Sequence, residues 1–317
     1  MYQKSGLTQK FAFITMFAGL LLFVFGLTMS PPGALQAQDG PEETEEPEDS
    51  SPAPENEDEL IDRGRYLVHA VAACQDCHIG GGFYDDVYED TMNASLAGGL
   101  VFANEPWGTV AAPNLTVLQD WTDEEIEFAI RYGVDPSGMP LLPPMPYELY
   151  TGMSDEDMAA IIAYLRSLEP EDVEIPAAEL NDDLTREDIR QVPEFDPEAT
   201  FEAPEKDDLL AYGTYHGANV AACGRCHGAP EEDNELLVDP EGPLNGTMTV
   251  YTDFGPLQFP SLLQEDIGTW SDEELFEVIH LGTLPDGDGL FFMPTYAYVN
   301  MDEDDARALV EWLRSQP

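Results

Sequence analysis

Downstream of residue 60 the apolar positions fall at helical spacing, and they do so twice. Leu60, Gly64, Leu67, Val68 and Val71 run i, i+4, i+7, i+8, i+11, and Leu209, Gly213, His216, Gly217 and Val220 repeat that run. Each set predicts one face of a helix. A glycine inside a helix costs about 1 kcal/mol against alanine. Glycines at matched positions, Gly64 and Gly213, therefore predict a close crossing with another helix. A second pair of helices is predicted by Ile126, Ala129 and Ile130 and by Leu275, Val278 and Ile279. Thr122/Glu125 and Ser271/Glu274 have capping-box spacing and mark their starts. A last pair buries Met158, Ile161, Ile162 and Leu165 and, in the second copy, Ala306, Leu309, Val310 and Leu313. Ser154 and Asp302 are its expected caps. Tyr164 and Trp312, at one repeat position, are the expected partners of Gly64 and Gly213.

The two copies are offset by 147–149 residues, an internal repeat. Between its first and second helices each copy is expected to form a long loop, with landmarks Gly108, Pro113 and Leu115 against Gly255, Pro260 and Leu262. The pattern predicts an all-α fold, with tandem domains over 60–170 and 207–317. Residues 171–206, acidic and proline-rich, read as a connector free to wrap one domain. Upstream, Lys4 and Lys10 precede an apolar run from Phe11 to Met29. That length approaches the ~20 residues that span a bilayer, and residues 1–37 read as a signal peptide or an uncleaved anchor. Ala34-Leu35-Gln36-Ala37 is an imperfect cleavage site. The lysines keep the N-terminus inside, so the remainder is expected outside the cytoplasmic membrane. Residues 38–59, acidic and proline-rich, are expected to be a disordered tether.

Charge narrows the partners. The formal net charge is −52 over 317 residues, and it is spread through both copies. Nucleic acid is excluded by repulsion. A solvated surface and a docking face for basic redox proteins both remain open.

All four cysteines lie in two five-residue stretches, Cys74-Gln75-Asp76-Cys77-His78 and Cys223-Gly224-Arg225-Cys226-His227. Cys-x-x-Cys-His is the attachment pattern of a c-type haem. Thiols three apart on a helical turn can both form thioethers along one haem edge, and the next histidine can ligate the iron. A shared zinc is disfavoured, because about 145 residues separate the pairs against about 15–20 in ordinary zinc modules. A redox disulfide does not need the histidines. Two covalently bound haem c groups are expected, with Cys74, Cys77, His78, Cys223, Cys226 and His227 as the binding residues.

The second axial ligand should recur in both copies. The other histidines, His69, His216 and His280, have no counterpart at the repeat positions and read as packing or surface residues. Met145 matches Met293, and Met153 matches Met301. Met153 and Met301 directly precede helix caps and read as hydrophobic staples. Met145 and Met293 lie in proline-bounded loops and are the expected ligands, giving iron sites His78/Met145 and His227/Met293. Met139 is a rival without a repeat partner.

Together these residues resemble the class I cytochrome c fold, doubled. More narrowly, Gly64 to Val68, Pro113-Asn114-Leu115-Thr116, Trp121 to Ile130, Met145-Pro146-Tyr147 and Tyr164 to Ser167 resemble the multi-haem cytochrome subunits of membrane-bound alcohol and gluconate dehydrogenases. That resemblance implies a methionine ligand at Met145 and, by the repeat, at Met293. Two departures stand out: the family commonly holds three haems, and the second copy has Ser261-Leu262-Leu263 for Asn114-Leu115-Thr116. The implied function is not enzymatic. It is single-electron relay, as a free cytochrome or a subunit of a larger complex, from a dehydrogenase or respiratory donor to a downstream acceptor. A dihaem enzyme such as a peroxidase is the alternative and needs one open iron position.

Overall fold

The computed structural model describes residues 56–79, 90–181, 183–252, 255–290 and 292–317. The apolar run Phe11–Met29 and most of the acidic stretch 38–59 lie outside the described residues. Among the described residues no helix is long and apolar enough to cross a membrane.

Helix α1, Glu57–Tyr66, begins three residues before the expected boundary. Asn56 accepts from the Glu59 amide there, and three acids fill the first turn, where the helix dipole favours them. The helix then widens into a π turn, Leu67–Val71, and a short helix α2, Gln75–His78, follows. α3 is Asp123–Tyr132, α4 is Tyr147–Tyr150 and α5 is Asp155–Ser167. The connector contributes α6, Arg186–Ile189. The order then repeats. α7 is Leu209–Tyr215 with a π turn His216–Val220, and α8 is Gly224–His227. α9 is Gln264–Ile267, α10 Asp272–Leu281, α11 Thr295–Tyr298 and α12 Glu303–Ser315.

Both capping boxes form, at Thr122 and at Ser271. Ser154 caps α5 by accepting from the Asp157 amide, but the Asp302 side chain accepts no cap bond on α12. Its backbone N–H instead donates to the Tyr66 hydroxyl. The glycine crossings are very tight. A Cβ on Gly64 would stand 1.9 Å from the Ala160 carbonyl oxygen, and one on Gly213 the same distance from that of Ala308. Tyr164 and Trp312 flank the crossings as expected. Matched arginines tie the last helix of each half to the second: Arg166 donates to Asp123 at 3.0 Å, and Arg314 to Asp272 at 2.8 Å.

The fold is not all-α. Strands β1, Val101–Glu105, and β2, Gly108–Ala111, form an antiparallel hairpin. The connector adds β3, Glu179–Leu180, to its edge, Gly108 opposite Leu180. In the second half β4, Thr249–Thr252, pairs with β5, Gly255–Gln258. Glycine and proline mark these segments as loops. Yet the run Thr249-Val250-Tyr251-Thr252 is β-branched and aromatic, the composition of a strand, and each hairpin is short enough to fall between turn signals.

The connector packs on the first half. Ile189 joins Trp107 and Leu142 in a small apolar cluster. Phe195 stacks on Tyr132, with ring centroids 4.2 Å apart, and Phe201 lies under the Arg131 guanidinium.

The two halves share one continuous core, and polar contacts across it are reciprocal. The Tyr66 hydroxyl donates to Asp305 at 2.6 Å and accepts from the Asp302 amide at 3.0 Å. The Tyr215 hydroxyl donates to Asp157 at 2.7 Å and accepts from the Ser154 amide at 3.0 Å. Tyr66 and Tyr215 are repeat equivalents, as are the two aspartates. Such exchange, i to j and j to i, is the signature of a two-fold interface, here built within one chain.

Candidate haem-attachment site

In each half the π turn delivers the chain into the cysteine motif. The Ala72 and Ala221 amides reach back five residues to Leu67 and His216, and those of Cys74 and Cys223 six residues to Val68 and Gly217. The intervening residues, Ala73 and Ala222, take left-handed φ of 49° and 51°. Such backbone is costly for a residue with a Cβ and collects at functional sites. Here it starts the short helix that carries the motif, with Cys74 and Cys223 at the N-cap. These alanines carry no local sequence signal.

One-turn helices set the histidines. The His78 Nδ1–H donates to the Pro113 carbonyl at 2.9 Å, and the His227 Nδ1–H to the Pro260 carbonyl at 2.7 Å. Fixing the proton on Nδ1 leaves the Nε2 lone pair as the free donor, the usual way a histidine ligand is oriented. Burial pushes both imidazole pKa values down, and the proline carbonyls pull them partly back. Pro113 and Pro260 were landmarks of the repeat; their carbonyls are what the repeat preserves.

In the first half Cys74, Cys77, His78 and Met145 line one cavity of about 860 Å³. Its walls are apolar, from Val68, Leu115, Ile126 and Leu165 among others, and Met153 also reaches it. A site of 300–1,000 Å³ with few polar groups suits a cofactor. Two thiols at one edge, a tautomer-fixed imidazole and a thioether fit a covalently held haem.

Met145 is half-buried, and its backbone carbonyl accepts from Arg190 at 2.9 Å. Arg190 comes from the connector, and both it and its carboxylate partner Glu148, 2.5 Å away, are buried. Burial pushes the Glu148 pKa up while the guanidinium beside it pulls down. Sequence reading missed this clamp because Arg190 has no counterpart in the repeat.

In the second half Cys223, Cys226 and His227 reproduce the first motif's backbone, and Met293 is half-buried against the common core. Ser261 replaces Asn114 and does the same local work: its Oγ accepts from the Leu263 amide, as Asn114 Oδ1 does from Thr116. A second cavity, about 190 Å³, lies between the halves and is lined by both Cys77 and Cys226.

The other histidines stand apart. His69 is fully buried with Nε2 2.7 Å from the Tyr164 hydroxyl, and His216 is fully buried 4.0 Å from Asp305. His280 Nε2 lies 3.1 Å from the Met301 carbonyl. Met153 and Met301 are buried in the core beneath the last helices.

Residues 59–165 match the family described as cytochrome c oxidase, cbb3-type, subunit III. The chain is 29% identical over 275 residues to the fructose dehydrogenase cytochrome subunit of Gluconobacter japonicus, covering 81% of this chain and 52% of that protein. It is 28% identical over 286 residues to the gluconate 2-dehydrogenase cytochrome c subunit of Pantoea cypripedii, covering 81% and 60%. Against a diheme cytochrome c-type protein of Cereibacter sphaeroides it is 24% identical over 247 residues, covering 70% and 76%. The chain thus spans between half and two thirds of the length of the fructose and gluconate dehydrogenase subunits. Residues 59–165 are thus similar to a cytochrome c family, in a chain similar over about four fifths of its length to cytochrome c subunits of dehydrogenases.

Proposed function

We propose that the chain is an exported dihaem c-type cytochrome, tethered through its N-terminal segment to the periplasmic side of the membrane. It relays single electrons for a dehydrogenase or respiratory complex and is not itself a catalyst. Haem, when bound, supplies a one-electron couple at its iron. The residues then divide the remaining work. Cys74 and Cys77 hold one group and Cys223 and Cys226 the other. His78 and His227, oriented by the proline carbonyls, would hold the iron through Nε2. Met145 and Met293 would be the second protein ligands, and the apolar walls of the first cavity would exclude water. A soft thioether ligand raises the reduction potential.

The observation that carries this reading is one cavity walled by Cys74, Cys77, His78 and Met145, with the motif geometry repeated in the second half. The relatives' names support membership of a dehydrogenase complex.

The test is the mass and spectrum of the denatured protein. Two haem masses retained covalently are expected, and one or none overturns the dihaem reading. Met145→Ala and Met293→Ala should each open a single haem to carbon monoxide. Ready carbon monoxide binding or peroxide turnover by the unsubstituted protein would favour a dihaem enzyme instead. Purification from native membranes with an associated dehydrogenase subunit is the outcome expected for the complex.

A further inference from the structure

The middle residues of the two cysteine motifs meet each other. Asp76 and Arg225 occupy the same place in the repeat, and Arg225 Nη2 donates to Asp76 Oδ2 at 2.9 Å. The other guanidinium nitrogen, Nη1, donates to Cys77 Sγ at 3.3 Å, the atom that becomes a thioether when haem is attached. Tyr296, from the second half, donates to the remaining Asp76 oxygen at 3.2 Å. Arg225 acts on both motifs: burial pushes the Cys77 and Cys226 thiols up, and this guanidinium pulls each of them back. Asp76, Cys77, Arg225 and Cys226 all line the cavity between the halves.

An interface of reciprocal contacts brings equivalent positions face to face at its centre. Identical charges there would repel, aspartate on aspartate or arginine on arginine. The chain departs from its own symmetry at this point and closes it with an ion pair. Pair members are 27% and 23% exposed, so solvent screens them only in part.

We propose that Asp76 and Arg225 are a positioning pair that locks the two attachment motifs together and tunes the potentials of the attached haems in opposite directions. This rests on the dihaem reading above. Reduction adds one electron to a haem. A guanidinium against the attachment sulfur stabilises the added negative charge and raises the potential, and a carboxylate next in the chain to that cysteine lowers it.

The experiment is an optical redox titration of the full-length holoprotein and its variants, with covalent haem counted by mass. Asp76→Asn leaves the guanidinium unopposed, and an upward shift is expected. Arg225→Gln leaves the carboxylate unopposed, and a downward shift is expected. Arg225→Lys keeps the charge and should stay closer to the parent than Arg225→Gln. The exchange of both, Asp76→Arg with Arg225→Asp, should recover the thermal stability lost by either single change. If Arg225→Gln does not fold, Asp76→Asn and Arg225→Lys still give the sign. Unchanged potentials in protein holding two haems, or shifts of the same sign in the two neutral variants, would overturn the proposal and leave the relay standing. A parent chain without two covalent haems would overturn the relay and the pair with it.

Discussion

Asp305 lies 239 residues after Tyr66 in the chain, yet the Tyr66 hydroxyl donates to its carboxylate at 2.6 Å. The carboxylate is 1% exposed, so the phenol satisfies a group that water cannot reach.

The equivalent bond, Tyr215 to Asp157, has more company. Arg63 also donates to Asp157, at 2.9 Å, whereas the residue at Arg63's repeat position is Tyr212. Tyr66→Phe should therefore cost more stability than Tyr215→Phe, about 2–3 kcal/mol against about 1, because a buried carboxylate left without a donor is the expensive case. Denaturant unfolding of both variants measures the difference. Equal losses would show that Arg63 contributes nothing to Asp157.

Gly64→Ala should be among the most damaging single-methyl changes in the molecule. The added Cβ would meet the Ala160 backbone oxygen at 1.9 Å, and neither helix can yield without moving the core. A loss of about 3 kcal/mol or more is expected, read as a lowered midpoint of thermal unfolding. Gly289→Ala is the control for space, since nothing lies within 4 Å of its Cβ position and its backbone is not left-handed.

Arg190→Ala should loosen the Met145 loop and strand Glu148. Breaking a buried pair by removing one partner costs about 3–5 kcal/mol. Beyond stability, the methionine–iron signature of the first haem should weaken while that of the second is kept. Glu148→Gln, which leaves the arginine's bond to the Met145 carbonyl in place, should retain both signatures. Equal weakening of both haems by Arg190→Ala would argue against a local clamp.

Acid should unfold the protein partly through His69 and His216. Burial lowers each from the ordinary 6.5 to about 4. The groups around His69 are Tyr164, Gln75, Arg65 and Asp90. Around His216 they are Asp305, Arg63, Asp157, Lys206, Tyr212 and Tyr215. Both rings are neutral in the fold, so the unfolded chain takes up the protons. Stability from this source is complete above pH 6.5 and falls as pH drops from 6.5 towards 4, by about 3 kcal/mol for each histidine. Unfolding free energy against pH should be less steep across that window in His69→Gln or His216→Gln, and an unchanged slope would refute it.

What was readable in the chain was what is local. The helix faces, both capping boxes and the cysteine motifs each lie within a dozen residues, and the repeat doubled every signal. Gly64 and Gly213 announced their helix crossings because a conformational cost at two matched positions demands a reason. What escaped is set by distant partners. The β3 strand, Glu179–Leu180, is two residues long and is defined by its pairing with Gly108 and Thr109. Arg190 looks like one more charge in an acidic connector until the Met145 loop is beside it. The residues Asp76 and Arg225, each a variable position of its motif, gain meaning only when the motifs touch.

The reciprocal interface also has a consequence in time. A chain emerging from its N-terminus completes the first half long before Asp302 and Asp305 exist to meet Tyr66. Until then the face carrying Tyr66, Asp157 and the first cysteine motif stands open to water. Contacts so distant along the chain form late, and in that interval Asp76 and Cys77, later packed against Arg225 of the second half, are still open on that side.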